Sequence, residues 1–156
     1  MQRRTFLKNT AKATTAFSIV PSFVLGKQHT APSDTLYVAA FGVGGRGRGV
    51  IDGLAGTQKV KFVAFCDVDE RRAATTYEAY PGVKQFKDFR KVYDQHLSDL
   101  DAVMVATQDH THASIALPFM RAKKHAYVDK PLTHKIQEAH FMTNVAKEKQ
   151  LVNQMG

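Results

Sequence analysis

The chain has 156 residues, 44% hydrophobic and 23% charged, with a net charge of +8 and one cysteine, Cys66. That length suits one domain, and that composition a globular rather than a disordered one. One cysteine excludes an internal disulfide framework, and no 18-residue apolar run is present to suggest a membrane-spanning helix.

Taken in chain order, residues 1–34 read as an address. They hold five basic groups against Asp34, which is half of the whole excess charge. The remainder is scattered and forms no basic stripe with interleaved aromatics, so no nucleic-acid partner is expected. Arg3-Arg4-Thr5-Phe6-Leu7-Lys8 precedes a weakly apolar stretch, Ala11 to Leu25, interrupted by Thr14, Thr15, Ser18 and Pro21. A basic start and a short apolar region resemble an export signal, and the Arg-Arg-x-Phe-Leu-Lys run resembles the twin-arginine motif. Gln2 stands where Ser or Thr is usual, and no Ala-x-Ala cleavage site follows the apolar stretch. The expectation is export to the periplasm by a route that carries folded, cofactor-loaded proteins.

Beyond residue 34 the pattern predicts alternating strands and helices. Leu36–Phe41 and Val60–Cys66 are apolar runs, followed by Val83–Phe86, Ala102–Ala106, Ala126–Val128 and Leu151–Gln154. Short apolar runs without alternation fit strands buried on both faces of a parallel sheet. Helices are expected over 46–55, 70–79, 88–97, 112–123 and 134–149. The last places Ile136, Ala139, Met142, Val145 and Ala146 on one stripe. Pro118 should kink the fourth. The alternating order predicts an α/β fold with right-handed crossovers, a doubly wound parallel sheet of the Rossmann type.

The strongest chemical signal follows the first strand. Gly42-Val43-Gly44-Gly45-Arg46-Gly47 satisfies G-x-G-x-x-G between a buried strand and a helix start. Gly42 permits the tight turn, Gly44 leaves room for a pyrophosphate, and Gly47 lets helix and strand pack closely. The helix start offers free N–H groups to phosphate oxygens. Asp67 ends the second strand, 20 residues after Gly47. A carboxylate there accepts the hydroxyls of an adenosine ribose and repels a 2′-phosphate, which favours NAD. Arg71 and Arg72 just beyond it keep NADP open.

A second cluster sits where the fourth and fifth strands end. It comprises Thr107-Gln108-Asp109-His110-Thr111-His112 and Asp129-Lys130-Pro131. Strand ends of a doubly wound sheet surround the crevice where ligands bind. A lysine there can supply a positive charge or a proton to a reacting hydroxyl or carbonyl. Asp129 is expected to orient it and keep it charged. His110 and His112 with Asp109 raise a metal site, but residues two apart on a helix diverge and no Cys or Glu cluster joins them. No metal is expected. Cys66, at a buried strand end, reads as packing.

The glycine loop, Cys66-Asp67-Val68-Asp69, Ala106-Thr107-x-Asp109-x-x-His112 and Asp129-Lys130-Pro131 together resemble the N-terminal domain of the Gfo/Idh/MocA oxidoreductases. That family includes glucose–fructose oxidoreductase and inositol 2-dehydrogenase, and the resemblance spans residues 35–156. It implies an NAD(P)-dependent enzyme transferring hydride to or from a sugar, cyclitol or related polyol, and a homo-oligomer in full-length form. By position it implies a pyrophosphate cradle at Gly42, Val43, Gly44, Gly45, Arg46 and Gly47, and an adenosine-ribose ligand in Asp67. Thr107, Asp109 and His112 would line the nicotinamide side. Asp129 and Lys130 match the family's Glu-Lys-Pro, whose lysine contacts nicotinamide ribose and substrate and is the catalytic candidate.

Asp129 is one methylene shorter than the family's Glu, and Gln108-Asp109 replaces its Pro-Asn. Lys123 or Lys124 must end the fourth helix where the family has Gly, in a left-handed conformation that costs about 1 kcal/mol. The resemblance also implies a second α/β domain that holds the substrate, expected after Gly156 and absent from this sequence. Two alternatives remain open. One is a glycosidase that uses bound NAD in a transient oxidation, and the other is a non-catalytic dinucleotide-binding fragment.

Overall fold

The computed structural model describes residues 34–156. The leader expected over residues 1–34 lies outside the described residues, but for Asp34. Six strands form one sheet: β1 Leu36–Phe41, β2 Val60–Cys66, β3 Lys84–Phe86, β4 Ala102–Val105, β5 His125–Val128 and β6 Asn153–Met155. Every neighbouring pair is parallel, in the order β3-β2-β1-β4-β5-β6. The helices between them are α1 Arg46–Gly56, α2 Glu70–Ala79, α3 Phe89–His96, α4 His112–Arg121 and α5 Ile136–Lys149.

Why the strand runs do not alternate is visible in β1. Val38 and Ala40 enter one apolar cluster, with Ile51 of α1 and Ala73 of α2. Ala39 and Phe41 enter the other, with Val92 of α3, Phe119 of α4 and Met142 of α5. Both faces are covered, so both must be apolar. The chain runs outward from β1 to β3, returns to β4 beside β1, and continues to β6. The C-terminal ends of β1 and β4 therefore diverge to open a crevice.

Local chemistry sets the element ends. Asp69 and Asp88 cap α2 and α3 by accepting from the N–H groups of Arg71 and Arg90, each at 3.0 Å. α4 runs through Pro118 and stops at Arg121, two residues earlier than expected. Lys123 takes φ 64°, and the N–H groups of Lys123 and Lys124 donate to the carbonyls of Met120 and Phe119. This is the helix stop normally given to glycine, built here on lysine.

Two expectations are corrected. Ile136 is the first residue of α5 and stands 76% exposed, because the buried stripe is shorter than its periodicity implies. Only Met142 is fully buried, with Val145 and Ala146 packed partly against the core. β6 begins at Asn153 rather than Leu151, because the helix stop consumes Gln150 and Leu151. Gln150 takes φ 55°, and Leu151 N–H donates to the Ala146 carbonyl at 2.8 Å.

Candidate cofactor site

The turn from β1 into α1 is packed too tightly for side chains. Gly42 has φ 75°, and a Cβ there would lie 2.6 Å from the Ala106 carbonyl oxygen at the end of β4. A Cβ on Gly47 would collide with the carbonyl of Gly42 itself. At Gly44 the crowding comes from α2, since a Cβ would lie 2.6 Å from the Arg72 carbonyl oxygen. The chain's own helix thus demands this glycine, a requirement additional to ligand approach.

The loop is pinned from two sides. Thr76 Oγ1, buried in α2, donates to the Val43 carbonyl at 2.7 Å. Asp67 accepts through Oδ2 from Val43 N–H at 2.9 Å and Gly44 N–H at 3.2 Å. Its Oδ1 accepts from Asp69 N–H at 3.0 Å. The backbone N–H groups of Gly45 and Arg46, at the start of α1, have no acceptor among the described residues. They face outward with the positive end of the helix. A cleft of about 760 Å³ opens beside them, with Gly44, Arg46, Asp67, Arg72 and Thr107 in its walls.

Arg71 is turned away, its side chain 93% exposed and its Nε 3.5 Å from Asp69. Of the two arginines that keep NADP open, Arg72 reaches the cleft.

The strand-four cluster is arranged differently from expectation. Thr107 lies in the cleft wall, its hydroxyl accepting from Thr111 Oγ1 at 2.8 Å. Asp109 sits exposed in a one-turn helix, Asp109–Thr111, outside that wall. His112 is 1% exposed. Its Nδ1 lies 2.8 Å from the Pro131 carbonyl oxygen and its Nε2 3.1 Å from that of Thr107. It braces the loop after β4 against the loop after β5, so the ring is committed to backbone instead of lining the cleft. His110 is exposed. No group of three or more His, Cys, Asp or Glu side chains among the described residues could hold a metal ion.

Asp129 is nearly buried and does not orient Lys130. Its carboxylate accepts from Arg46, Nε to Oδ2 at 3.1 Å and Nη2 to Oδ1 at 3.4 Å. Burial acts to raise this carboxyl. The Arg46 hydrogen bond, the Lys130 backbone N–H and the charges of Arg46 and His112 together outweigh it and hold the group below the usual carboxylate range. Lys130 follows, exposed, its ammonium without a partner among the described residues, and the Lys130–Pro131 bond is cis. The reach of the Arg46 side chain across 83 positions left no mark in the sequence. Burial pushes the Cys66 thiol up to about 12, which keeps it protonated.

A six-stranded parallel sheet in this order, with a glycine loop and a strand-end acid at its switch point, defines a dinucleotide-binding Rossmann domain. Residues 36–156 match the Gfo/Idh/MocA model, an oxidoreductase family with an NAD-binding Rossmann fold, and the chain belongs to that family.

Among curated relatives, a glycosyl hydrolase family 109 protein of Shewanella pealeana is 30% identical over 124 residues, 75% of this chain and 27% of that protein. The inositol 2-dehydrogenase of Salmonella typhimurium is 28% identical over 100 residues, 63% of this chain and 29% of that enzyme. Among solved structures, the UDP-N-acetylglucosamine 3-dehydrogenase of Acidithiobacillus ferrooxidans superposes with a TM-score of 0.66 at 26% identity, over 78% of this chain and 38% of that one. The WlbA dehydrogenase of Bordetella pertussis, in complex with NADH and UDP-GlcNAcA, gives 0.68 at 20% identity, over 78% and 37%. The chain spans about a third or less of the length of the curated relatives it matches. No helix of the described residues is long and apolar enough to cross a membrane.

Proposed function

We propose that this chain is the cofactor-binding part of an NAD-dependent oxidoreductase acting on a secondary alcohol of a sugar, cyclitol or related polyol. One observation carries the reading. The Asp67 carboxylate is tied to the glycine loop by two hydrogen bonds, while the N–H groups of Gly45 and Arg46 beside it remain unsatisfied. A ribose-binding acid and an anion-binding helix start are thus held in one rigid turn, and the cleft beside them has room for a dinucleotide.

In this reading Gly45 and Arg46 donate to the pyrophosphate and Asp67 accepts from the adenosine ribose. The carboxylate favours NAD over NADP, although Arg72 in the cleft wall leaves the phosphorylated cofactor some affinity. Bound nicotinamide supplies the hydride acceptor or donor at its C4. Lys130, at the end of β5, holds a proton and a positive charge for the oxygen of the reacting alcohol. Thr107 closes the cleft near the end of β4, and His112 holds the two loops in register.

The glycosyl hydrolase family 109 relatives favour a second reading, in which bound NAD is reduced and reoxidised within one turnover while a glycosidic bond is cleaved. NADH that accumulates with turnover supports the dehydrogenase, and NADH recycled in place supports the glycosidase. The basic leader and its Arg3-Arg4 pair support twin-arginine export of the loaded protein. Retention in the cytoplasm of an Arg3→Lys, Arg4→Lys double variant tests this, and unchanged export refutes it.

The principal experiment is denaturation of the purified protein and mass spectrometry of any released nucleotide, with calorimetric titration of NAD and NADP into nucleotide-free protein. NAD released, or bound more tightly than NADP, is expected. Binding of neither refutes the reading.

A further inference from the structure

The loop after β5 carries two oppositely charged neighbours that do not pair with each other. Asp129 gives its carboxylate to Arg46, while the Lys130 ammonium stands without a partner among the described residues. The arrangement is lopsided. The Arg46 side chain is 65% exposed and that of Asp129 only 10%. Water competes freely for the cation, so the pair is held loosely from that side. The anion is largely desolvated and needs a cation nearby.

Arg46 is also the first residue of α1, beside the unsatisfied N–H groups of Gly45 and Arg46 itself. A pyrophosphate docked on that helix start brings more negative charge to the guanidinium than one carboxylate does. Two anions then draw on one cation. If Arg46 turns to the phosphates, Asp129 is left nearly buried and uncompensated. The cation adjacent to it in the chain is Lys130.

We propose that Arg46 is a positioning residue that changes partner on cofactor loading, releasing Asp129 to hold the Lys130 ammonium. This rests on the dinucleotide reading above and deepens it. In the ligand-free chain the Lys130 ammonium has no partner among the described residues, and with the pyrophosphate in place it is anchored. His112 ties the same loop to Thr107 through the Pro131 carbonyl. The exchange therefore involves side chains on a braced backbone.

The test uses ADP, which carries a pyrophosphate but no nicotinamide, titrated calorimetrically into the full chain with adenosine as control. Asp129→Asn preserves shape and removes the competing charge, and should bind ADP roughly three- to tenfold more tightly with adenosine unchanged. Arg46→Met should bind ADP about tenfold more weakly. A merely structural pair predicts the opposite sign for Asp129→Asn, and unchanged or weaker ADP binding there overturns the exchange.

A second measurement follows acylation of Lys130 by an amine-directed reagent, read by peptide mass spectrometry. It should slow when ADP binds the wild type and be slow without ADP in Arg46→Met, a substitution at an exposed side chain. Reactivity indifferent to both overturns the hand-over to Lys130. A wild-type chain that binds neither ADP nor NAD overturns the cofactor reading itself. Normal ADP binding with an indifferent Asp129→Asn overturns only the exchange.

Discussion

Asp67 has two tasks, and replacing it separates them. A carboxylate offers about four lone-pair sites. Three already accept from backbone, at Val43, Gly44 and Asp69. One site is therefore clear for a ribose hydroxyl, and a second hydroxyl must share. Asp67→Ala removes three bonds worth about 1 kcal/mol each, so a loss of about 2–3 kcal/mol is expected once water reaches the partly exposed N–H groups. For a domain of this size each kcal/mol lowers the melting temperature by about 4 °C, giving a drop of roughly 10 °C. One charge-assisted ribose bond adds about 1.5–3 kcal/mol to NAD affinity, so binding should weaken by roughly 10- to 150-fold. Asp67→Asn keeps one acceptor oxygen but turns an NH2 toward the Asp69 N–H. It loses one of the three bonds, about 1 kcal/mol, and should relax the preference for NAD over NADP. Thermal unfolding and calorimetric titration read the two effects separately. Asp67→Ala protein that remains folded and binds NAD as tightly as the wild type would sink the ribose assignment, whatever its melting temperature.

Gly47→Ala drives a Cβ into the Gly42 carbonyl and should cost roughly 3 kcal/mol or more, whereas Gly49→Ala in the same helix meets nothing within 4 Å and should stabilise by about 0.5–1 kcal/mol. Denaturant unfolding of the pair checks the crowding, and equal effects would refute it. Lys123→Gly relieves a left-handed lysine at φ 64° and should stabilise by up to about 1 kcal/mol, offset in part by the greater freedom of glycine when unfolded. The Cys66 thiol, pushed up to about 12, should resist a thiol-directed reagent at pH 8 in the native protein and react fully after denaturation; fast native reaction would contradict its burial.

The sheet was legible because its strands are buried on both faces. LYVAAF and VKFVAFC are apolar without alternation, and from Val38 to Phe41 and from Ala64 to Cys66 successive residues enter opposite clusters. The left-handed end of α4 was legible too, through the resemblance, in which the family's usual glycine falls on Lys123 or Lys124, and Lys123 takes φ 64°. What failed was extent. Periodicity over α5 shows which residues share a stripe, but not how far the neighbouring surface reaches, and Ile136 lies beyond it. The late start of β6 has the same origin, since a helix stop takes two residues that look like strand.

The site divides along a similar line. Positions at strand ends follow from the order of elements, and so the glycine loop, Asp67, Thr107 and Lys130 all stand at the C-terminal edge of the sheet. Which charges pair does not follow from order. Asp129 and Lys130 are adjacent in sequence and were expected to act together. Adjacency alone does not pair them, however, and a nearly buried carboxylate takes whichever cation the fold brings within reach. Here that cation is Arg46, on the far side of the crevice. The same rule removes His112 from the cleft wall, because a buried ring takes the nearest acceptors, the carbonyls of Thr107 and Pro131. Both long-range contacts join the loops that follow β1, β4 and β5. A ligand lying across the crevice must therefore act on a connected set of groups.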